Sequence, residues 1–232
     1  MIPIFGRAGP QAVSKAYYRT VSANGAGGML PSGRLIDTAK TRDVSNPLQQ
    51  LLLNPGLLMG KVTASGNWAN SLIGVNQSAY TSGGTSITVT PAQAVEIVRR
   101  VGATGTLLWA GPPTAAGTVA VTGPIAYSAI NTSTGVITTS TIGVDKIAGT
   151  FALQNDGSGI PRSFIGDGYG LTMGTDSTNL PTLAEWPWVP YEYLIDGANL
   201  IDWPSDTSLQ AWIMSSLVNG GYGGKFTFTN VF

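Results

Sequence analysis

Cysteine and histidine are both absent from the 232 residues of this chain. Without cysteine there is no disulfide, no thiol nucleophile and no thiolate metal site. Without histidine no imidazole can act as a general base near neutral pH or bind zinc or iron, and a serine triad of the usual kind is excluded. Charge is also scarce: 12 basic and 12 acidic residues make up 10% of the chain, against about 25% in an ordinary globular domain. No run of about 18 apolar residues occurs, so no membrane-spanning helix is expected. The apolar stretch Leu51 to Met59 is interrupted by Asn54, Pro55 and Gly56. The N-terminus lacks a basic segment leading into an apolar core, so no secretory signal is expected. These absences point away from an enzyme, and no metal or cofactor is expected.

What is present is a hydrophobic fraction of 43% and 31 glycines. Disorder comes with high charge and low hydrophobicity, so the chain should fold. A chain this long buries roughly 70–75% of its unfolded surface and needs no covalent staple. With so little charge, its surface must be built from Ser, Thr, Asn, Gln and Gly, which suits a protein that lives in an assembly or on a particle.

The net charge of zero hides an asymmetry. Residues 1–61 carry Arg7, Lys15, Arg19, Arg34, Lys40, Arg42 and Lys61 against Asp37 and Asp43, a net of +5. Residues 163–232 carry Lys225 against Asp167, Asp176, Glu185, Glu192, Asp196, Asp202 and Asp206, a net of −6. The two ends can attract each other within one subunit or between neighbours, although solvated surface charge accounts for the pattern equally well. A pI near 6.2 lacks the basic footprint of a nucleic-acid binder.

Three regions are distinguishable. Residues 1–44, rich in glycine and without sustained period, read as an extended N-terminal arm that orders on a partner. Residues 45–178 read as a β-rich core containing an insert at 76–147. Ser45 to Leu53 suits a short helix, with Ser45 as cap and Pro47 in the first turn. Leu57 to Ala64 and Trp68 to Val75 read as a hairpin turned at Gly66. Thr90 caps a helix with Pro91 first and Gln93 third, a capping-box pattern, and Gly102 ends it. Ala94, Val95, Val98 and Val101 are its expected buried face, and Glu96 can pair with Arg99 and Arg100. Short strands are expected at 85–90, 106–109, 118–121, 125–130, 136–141, 149–154, 162–165 and 169–173. Residues 179–232 form an aromatic and proline-rich C-terminal segment. One helix is expected there, from about Asp206 to Val218, striped by Leu209, Trp212, Ile213 and Leu217, and a final strand alternates Phe226, Phe228 and Val231.

Two constellations invite chemistry. Glu185, Glu192, Asp196, Asp202 and Asp206 lie among Trp186, Trp188, Tyr191, Tyr193 and Trp203. A glycosidase needs paired carboxylates beside aromatic faces, but this spacing is not specific, and aromatics more often fill a core or an interface. Gly166 to Gly170 resembles a phosphate loop, yet a strand rather than a helix is expected after it, so a tight turn is the better account. Asp156, Asp167 and Asp176 are too dispersed for a calcium loop.

The segment Met59-Gly60-Lys61-Val62-Thr63-Ala64-Ser65-Gly66-Asn67-Trp68 resembles the hairpin of lambda-type phage head decoration proteins. There, a strand runs into Gly-Lys, then Thr-Ala-Ser-Gly and an aromatic, and an Asp-Gly turn later leads into an apolar strand. Asn155-Asp156-Gly157-Ser158 followed by Arg162 to Ile165 matches that continuation. The resemblance spans about a fifth of the chain, and 76–147 and the tail have no counterpart in the small members of the family. It implies a mainly β fold with a β-tulip-like or β-barrel-like core and a few short helices. It also implies a homotrimer on the outer surface of a bacteriophage head, with the major capsid protein as partner. The expected function is therefore a non-enzymatic cement protein of the virion, made in the host cytoplasm, that bridges capsid subunits without touching nucleic acid or membrane. A head fibre or carbohydrate-binding module for host attachment is the alternative. Arg7, Lys15, Arg19, Arg34 and Lys40 are the expected capsid contacts. Gly60, Lys61, Thr63, Ser65, Gly66 and Trp68 form the motif hairpin. Trp186, Trp188, Tyr191, Tyr193 and Trp203 are candidate interface or glycan-binding aromatics.

Overall fold

The computed structural model describes residues 21–166, 170–174, 178–220 and 225–229. The strands are β1 (Ser22–Asp37), β2 (Leu52–Leu53), β3 (Leu58–Lys61), β4 (Trp68–Asn70), β5 (Leu72–Val75), β6 (Ser86–Thr88), β7 (Gly105–Gly111), β8 (Ala120–Asn131), β9 (Val136–Thr139), β10 (Phe151–Gln154), β11 (Ser163–Phe164), β12 (Leu171–Thr172), β13 (Leu183–Asp196) and β14 (Lys225–Thr229). Two helices join them, α1 (Pro91–Arg100) and α2 (Thr207–Asn219), with a short 3-10 turn at Gly197–Asn199. The fold is mainly β.

The hairpin expected from the sequence forms. β3 and β4 pair antiparallel with Lys61 opposite Trp68 and Met59 opposite Asn70. The returning segment then divides at Ser71, whose N–H still bonds the Leu58 carbonyl. Beyond it, β5 leaves for a second sheet. Every residue from Trp68 to Gly74 is buried, the pattern of strands covered on both faces.

The first sheet has the order β11-β3-β4-β1-β13-β14, and the second β5-β10-β7-β8-β9-β6. A two-stranded ladder of β2 and β12 stands beside them. Among the described residues none of these sheets closes, so the barrel-like core expected from the resemblance is instead a pair of open sheets. The second sheet is built from 72–154, so the expected insert at 76–147 supplies four of its six strands.

Core packing couples the layers. Along β10, Phe151 and Leu153 join a cluster with Tyr193 and Ile195 of the first sheet and Leu209, Ile213 and Leu217 of α2. Ala152 between them points to a second cluster with Ile73, Ile97, Leu107 and Trp109, as the two-residue period of a strand requires. A third cluster holds Ile36, Met59, Trp68 and Trp186 on the far side of the first sheet.

Helix α1 carries the capping box read from the sequence: Thr90 Oγ1 accepts from the Gln93 N–H, and Gln93 Oε1 accepts from the Thr90 N–H. Its buried face is different. Ala94, Ile97, Glu96 and Arg100 face inward, and Val95 is 53% exposed. The helix seats on β5 through Ile97 and offers its last turn to a polar pocket between the sheets, which rotates Val95 outward. Glu96 pairs with Arg99, while Arg100 bonds elsewhere. Helix α2 begins close to where the sequence places it, and Asp206 caps it, Oδ1 accepting from Ser208 and Leu209 N–H at 2.9 and 3.1 Å. Leu209, Ile213 and Leu217 are buried, and half-buried Trp212 stacks on Phe151 at 6.0 Å.

Four sequence expectations need correction. Residues 45–51 are turns leading into the short strand β2, rather than a helix, because the Asp43 side chain takes the N–H groups of Ser45 and Asn54 and holds the backbone in a tight loop. Thr118–Val121 and Ile125–Ile130 are one strand, β8, with a register shift against β7. The arm reading fails for 22–44: β1 is an inner strand, paired along its length with β13 and touching β4 at Ile36. Residues 1–20 lie outside the described residues. The division at residue 178 likewise does not separate a core from a C-terminal segment, because β13 and β14 lie in the same sheet as β3 and β4.

Candidate functional site

The two segments that carry the family resemblance are separated by about ninety residues, and the fold brings them together. The turn Asp156-Gly157-Ser158 lies against the hairpin. The Thr63 N–H donates to the Asp156 carbonyl at 2.8 Å, and β11 pairs with β3, Ser163 opposite Met59. Contact is closest at Gly60. A Cβ there would fall 1.9 Å from the Ser158 carbonyl oxygen and 2.8 Å from that of Ile160, so only hydrogen fits. Gly157 has φ +92° and a Cβ on it would meet Thr63 Oγ1 at 2.0 Å; both left-handed backbone and lack of space select glycine.

Of the hairpin residues, Lys61, Thr63 and Ser65 are exposed at the tip, and Gly66 turns the chain with φ +75°. Trp68 is 1% exposed and packs edge-on to Trp186 at 5.3 Å. It is therefore a core residue.

Buried polar groups tie this unit to the second sheet. Arg100 donates to Gln154 Oε1 at 3.0 Å, to the Asn70 carbonyl and Oδ1 at 2.9 and 2.8 Å, and to Ser158 Oγ at 3.4 Å. Burial lowers the Arg100 pKa to about 10, with the charges of Glu96 and Asp156 opposing the shift; it stays a cation at neutral pH. Asp156 receives Lys40 Nζ at 2.7 Å and the Ser158 N–H at 3.0 Å. Burial acts to raise the Asp156 carboxyl, and the bonds from Lys40 and Ser158 outweigh it, so its pKa falls below the usual aspartate value.

The expected capsid contacts divide. Arg7, Lys15 and Arg19 lie outside the described residues. Arg34 sits on β1 opposite Trp186 and is half-buried. Lys40 is engaged with Asp156 and belongs to the hairpin unit rather than to a free arm.

The aromatic group also divides. Trp186 and Tyr193 are each 2% exposed and belong to the core, so they offer no outer surface. Trp186 alternates inward on β13, and Tyr193 meets Phe164 edge-on at 5.2 Å. Tyr191 is half-buried. Trp203 is half-buried and lines a pocket at the start of α2. Trp188 alone is largely open, at 54%. It lies opposite Pro31, itself exposed, where β1 and β13 pair. Sequence reading missed Pro31, since its place opposite Trp188 depends on β1 pairing with β13. Leu35 and Leu183 are also exposed, farther along the same two strands. Glu185 and Glu192 are exposed on β13. Among the described residues no group of three or more Asp or Glu side chains is placed to hold a metal. No described helix is long and apolar enough to cross a membrane.

Comparison of the chain with protein-family models, with curated proteins and with solved structures finds no match in any of the three.

Proposed function

We propose that this chain is a capsid decoration protein that binds the outer surface of an assembled phage head and bridges its subunits. One observation carries the reading. The two sequence segments that resemble the lambda-type decoration proteins, 59–68 and 155–165, form a single interlocked unit through Gly60 and Ser158, Thr63 and Asp156, and the β3–β11 pairing. Short motifs that match by chance have no reason to meet in space.

The mechanism is linkage. Contacts that exist only in the assembled shell shift the equilibrium toward the shell, and many equivalent copies make modest contacts collectively strong. The exposed indole of Trp188, paired with exposed Pro31, supplies apolar surface for such a seam. An exposed tryptophan is a typical interface anchor. The major capsid protein is the proposed partner, and a homotrimer the proposed form, since each copy has this indole to cover.

The deciding experiment adds the purified full chain to undecorated heads and images them by electron microscopy. Regular density on the outer surface supports the reading. Heads left bare at saturating protein reject it. Sedimentation of the free protein at micromolar concentration tests the trimer separately.

A further inference from the structure

The first turns of α1 and α2 border a pocket of about 360 Å³ beside the loop 202–206. Its apolar wall includes Val75, Phe151 and Leu209, and one side is the indole of Trp203. That ring lies over Gly197: a Cβ there would be 2.5, 2.8 and 2.9 Å from Cζ2, Cε2 and Cη2. Three ring atoms at these distances mean that the backbone covers one face of the indole, and the part of the ring left uncovered borders the pocket.

Two carboxylates line the pocket, and they differ. Asp206 is occupied: Oδ1 caps α2, and Oδ2 accepts the Ala116 N–H at 3.0 Å. The carboxylate of Asp202 receives no hydrogen bond and no ion pair among the described residues. Its backbone is held at φ +60°, a left-handed conformation that non-glycine residues seldom adopt. No lysine or arginine lines the pocket. Strained backbone and an unserved acid, side by side in a concavity, mark a place built for something other than stability.

We infer that this pocket binds an organic cation, a guanidinium or alkylammonium group, with the Asp202 carboxylate meeting its charge and the uncovered part of the Trp203 ring meeting its flank. This site is independent of the shell-binding reading. A metal ion fits poorly, because hard cations require several oxygen ligands and one wall is indole and aliphatic carbon. A guanidinium suits both surfaces, since it is weakly hydrated, stacks on aromatic rings and donates in a planar fork. Enclosure by protein, aided by the charge of Asp43 from the turn before β2, raises the Asp202 carboxyl to about 6. The charged groups facing it are thus acidic, Asp43 and the capping Asp206, and a bound cation would relieve that repulsion.

The test is calorimetric titration of the full chain with N-acetyl-arginine methylamide, whose guanidinium keeps its charge throughout. Binding is expected at pH 7.5. At pH 5.0, one unit below the Asp202 value, it should weaken roughly tenfold, because about a tenth of the carboxyl remains ionised. Asp202→Asn should weaken it tenfold or more at pH 7.5, and Trp203→Leu several-fold. Asparagine tolerates the left-handed backbone, so the first variant should keep its fold. An acetylated peptide of residues 1–20, which contains Arg7, Lys15 and Arg19, separates the sources. Tenfold tighter binding than the amide assigns a basic chain segment as ligand, and equal binding assigns the bare cationic group. The inference is overturned by absence of binding to both probes, by unchanged affinity in folded Asp202→Asn, or by binding of glucose or N-acetylglucosamine where the cations fail. If Asp202→Asn does not fold, unchanged affinity of the unaltered protein between pH 7.5 and 5.0 overturns it.

Discussion

Arg100, the last residue of α1, donates from Nη1 to both oxygens of Asn70, at 2.9 Å to the main chain and 2.8 Å to the side chain. Through this one guanidinium the helix of the second layer grips β4 of the first sheet. The remaining donors reach Gln154 on β10 and Ser158 in the motif turn. Among the described residues the cation has no carboxylate in direct contact, and neutral oxygens carry its solvation instead.

Arg100→Met is expected to destabilise the fold by about 3 kcal/mol or more. It would take their Arg100 donor from the buried oxygens of Asn70 and Gln154, leaving Asn70 Oδ1 only the Arg42 N–H at 3.4 Å, at roughly 1–3 kcal/mol for each oxygen left unsatisfied. Arg100→Lys should recover only part of this, because one ammonium cannot reproduce the fork. Denaturant unfolding measures both.

Gly60→Ala is expected to cost about 3 kcal/mol, since its Cβ would fall 1.9 Å from the Ser158 carbonyl oxygen, which is backbone and cannot swing away. Gly33→Ala provides the contrast. Gly33 has φ +57° and open space around it, so only the left-handed penalty of about 1 kcal/mol applies. Equal losses in the two variants would show that Gly60 is not tightly packed.

Trp186→Ala and Trp188→Ala should separate folding from binding. Trp186 is buried against Trp68, and its removal should cost about 3–5 kcal/mol. Trp188 is 54% exposed, and its removal should change stability by less than about 1 kcal/mol. If the exposed surface at Trp188 seats on a shell, the second change should weaken shell binding tenfold or more, measured by co-sedimentation with undecorated heads.

Stability should fall as pH rises from about 4 to 6, through Asp202. Its folded value of about 6 lies above the unfolded value of 3.8, so the unfolded chain ionises first and gains from the rise in pH. Asp202→Asn removes this penalty. It should be more stable than the parent at pH 7.5, on the order of 2–3 kcal/mol from a shift of about two units, and nearly equal to it at pH 4. Thermal melts at the two pH values decide.

Shell binding should show partial sensitivity to salt. The charges of Arg7, Lys15 and Arg19, if they act in water at the shell surface, would be screened within about 8–10 Å and contribute less than about 1 kcal/mol each. A few hundred Å² of apolar seam, at roughly 25 cal/mol per Å², outweighs them. Complete release at moderate salt would overturn the apolar-seam account. Indifference to salt and to alanine at those three positions would remove the basic N-terminal residues from the mechanism.

The elements legible in the sequence are those whose causes lie within a few residues. The Thr90 and Gln93 cap, the Asp206 cap and the turn at Gly66 are each closed by bonds spanning two to four positions, so composition and spacing suffice to find them. The sequence also bounded the chemistry, because absent cysteine and histidine cannot be restored by folding. β1 was hidden because its glycines show no period of their own, and it becomes a strand only by pairing with β13, about 150 residues away. β13 was hidden in turn by Pro187 and Pro190, which local rules assign to loops and which this strand accommodates. The same holds for the sites. Trp188 could be named as a candidate, but its exposure, against the burial of Trp186 and Tyr193, was set by what packs over each of them in the fold. The unserved carboxyl of Asp202 was decided wholly by tertiary structure. Charge can be read from a sequence, whereas the loss of water around it, and the absence of any donor, arise only when distant segments close over it.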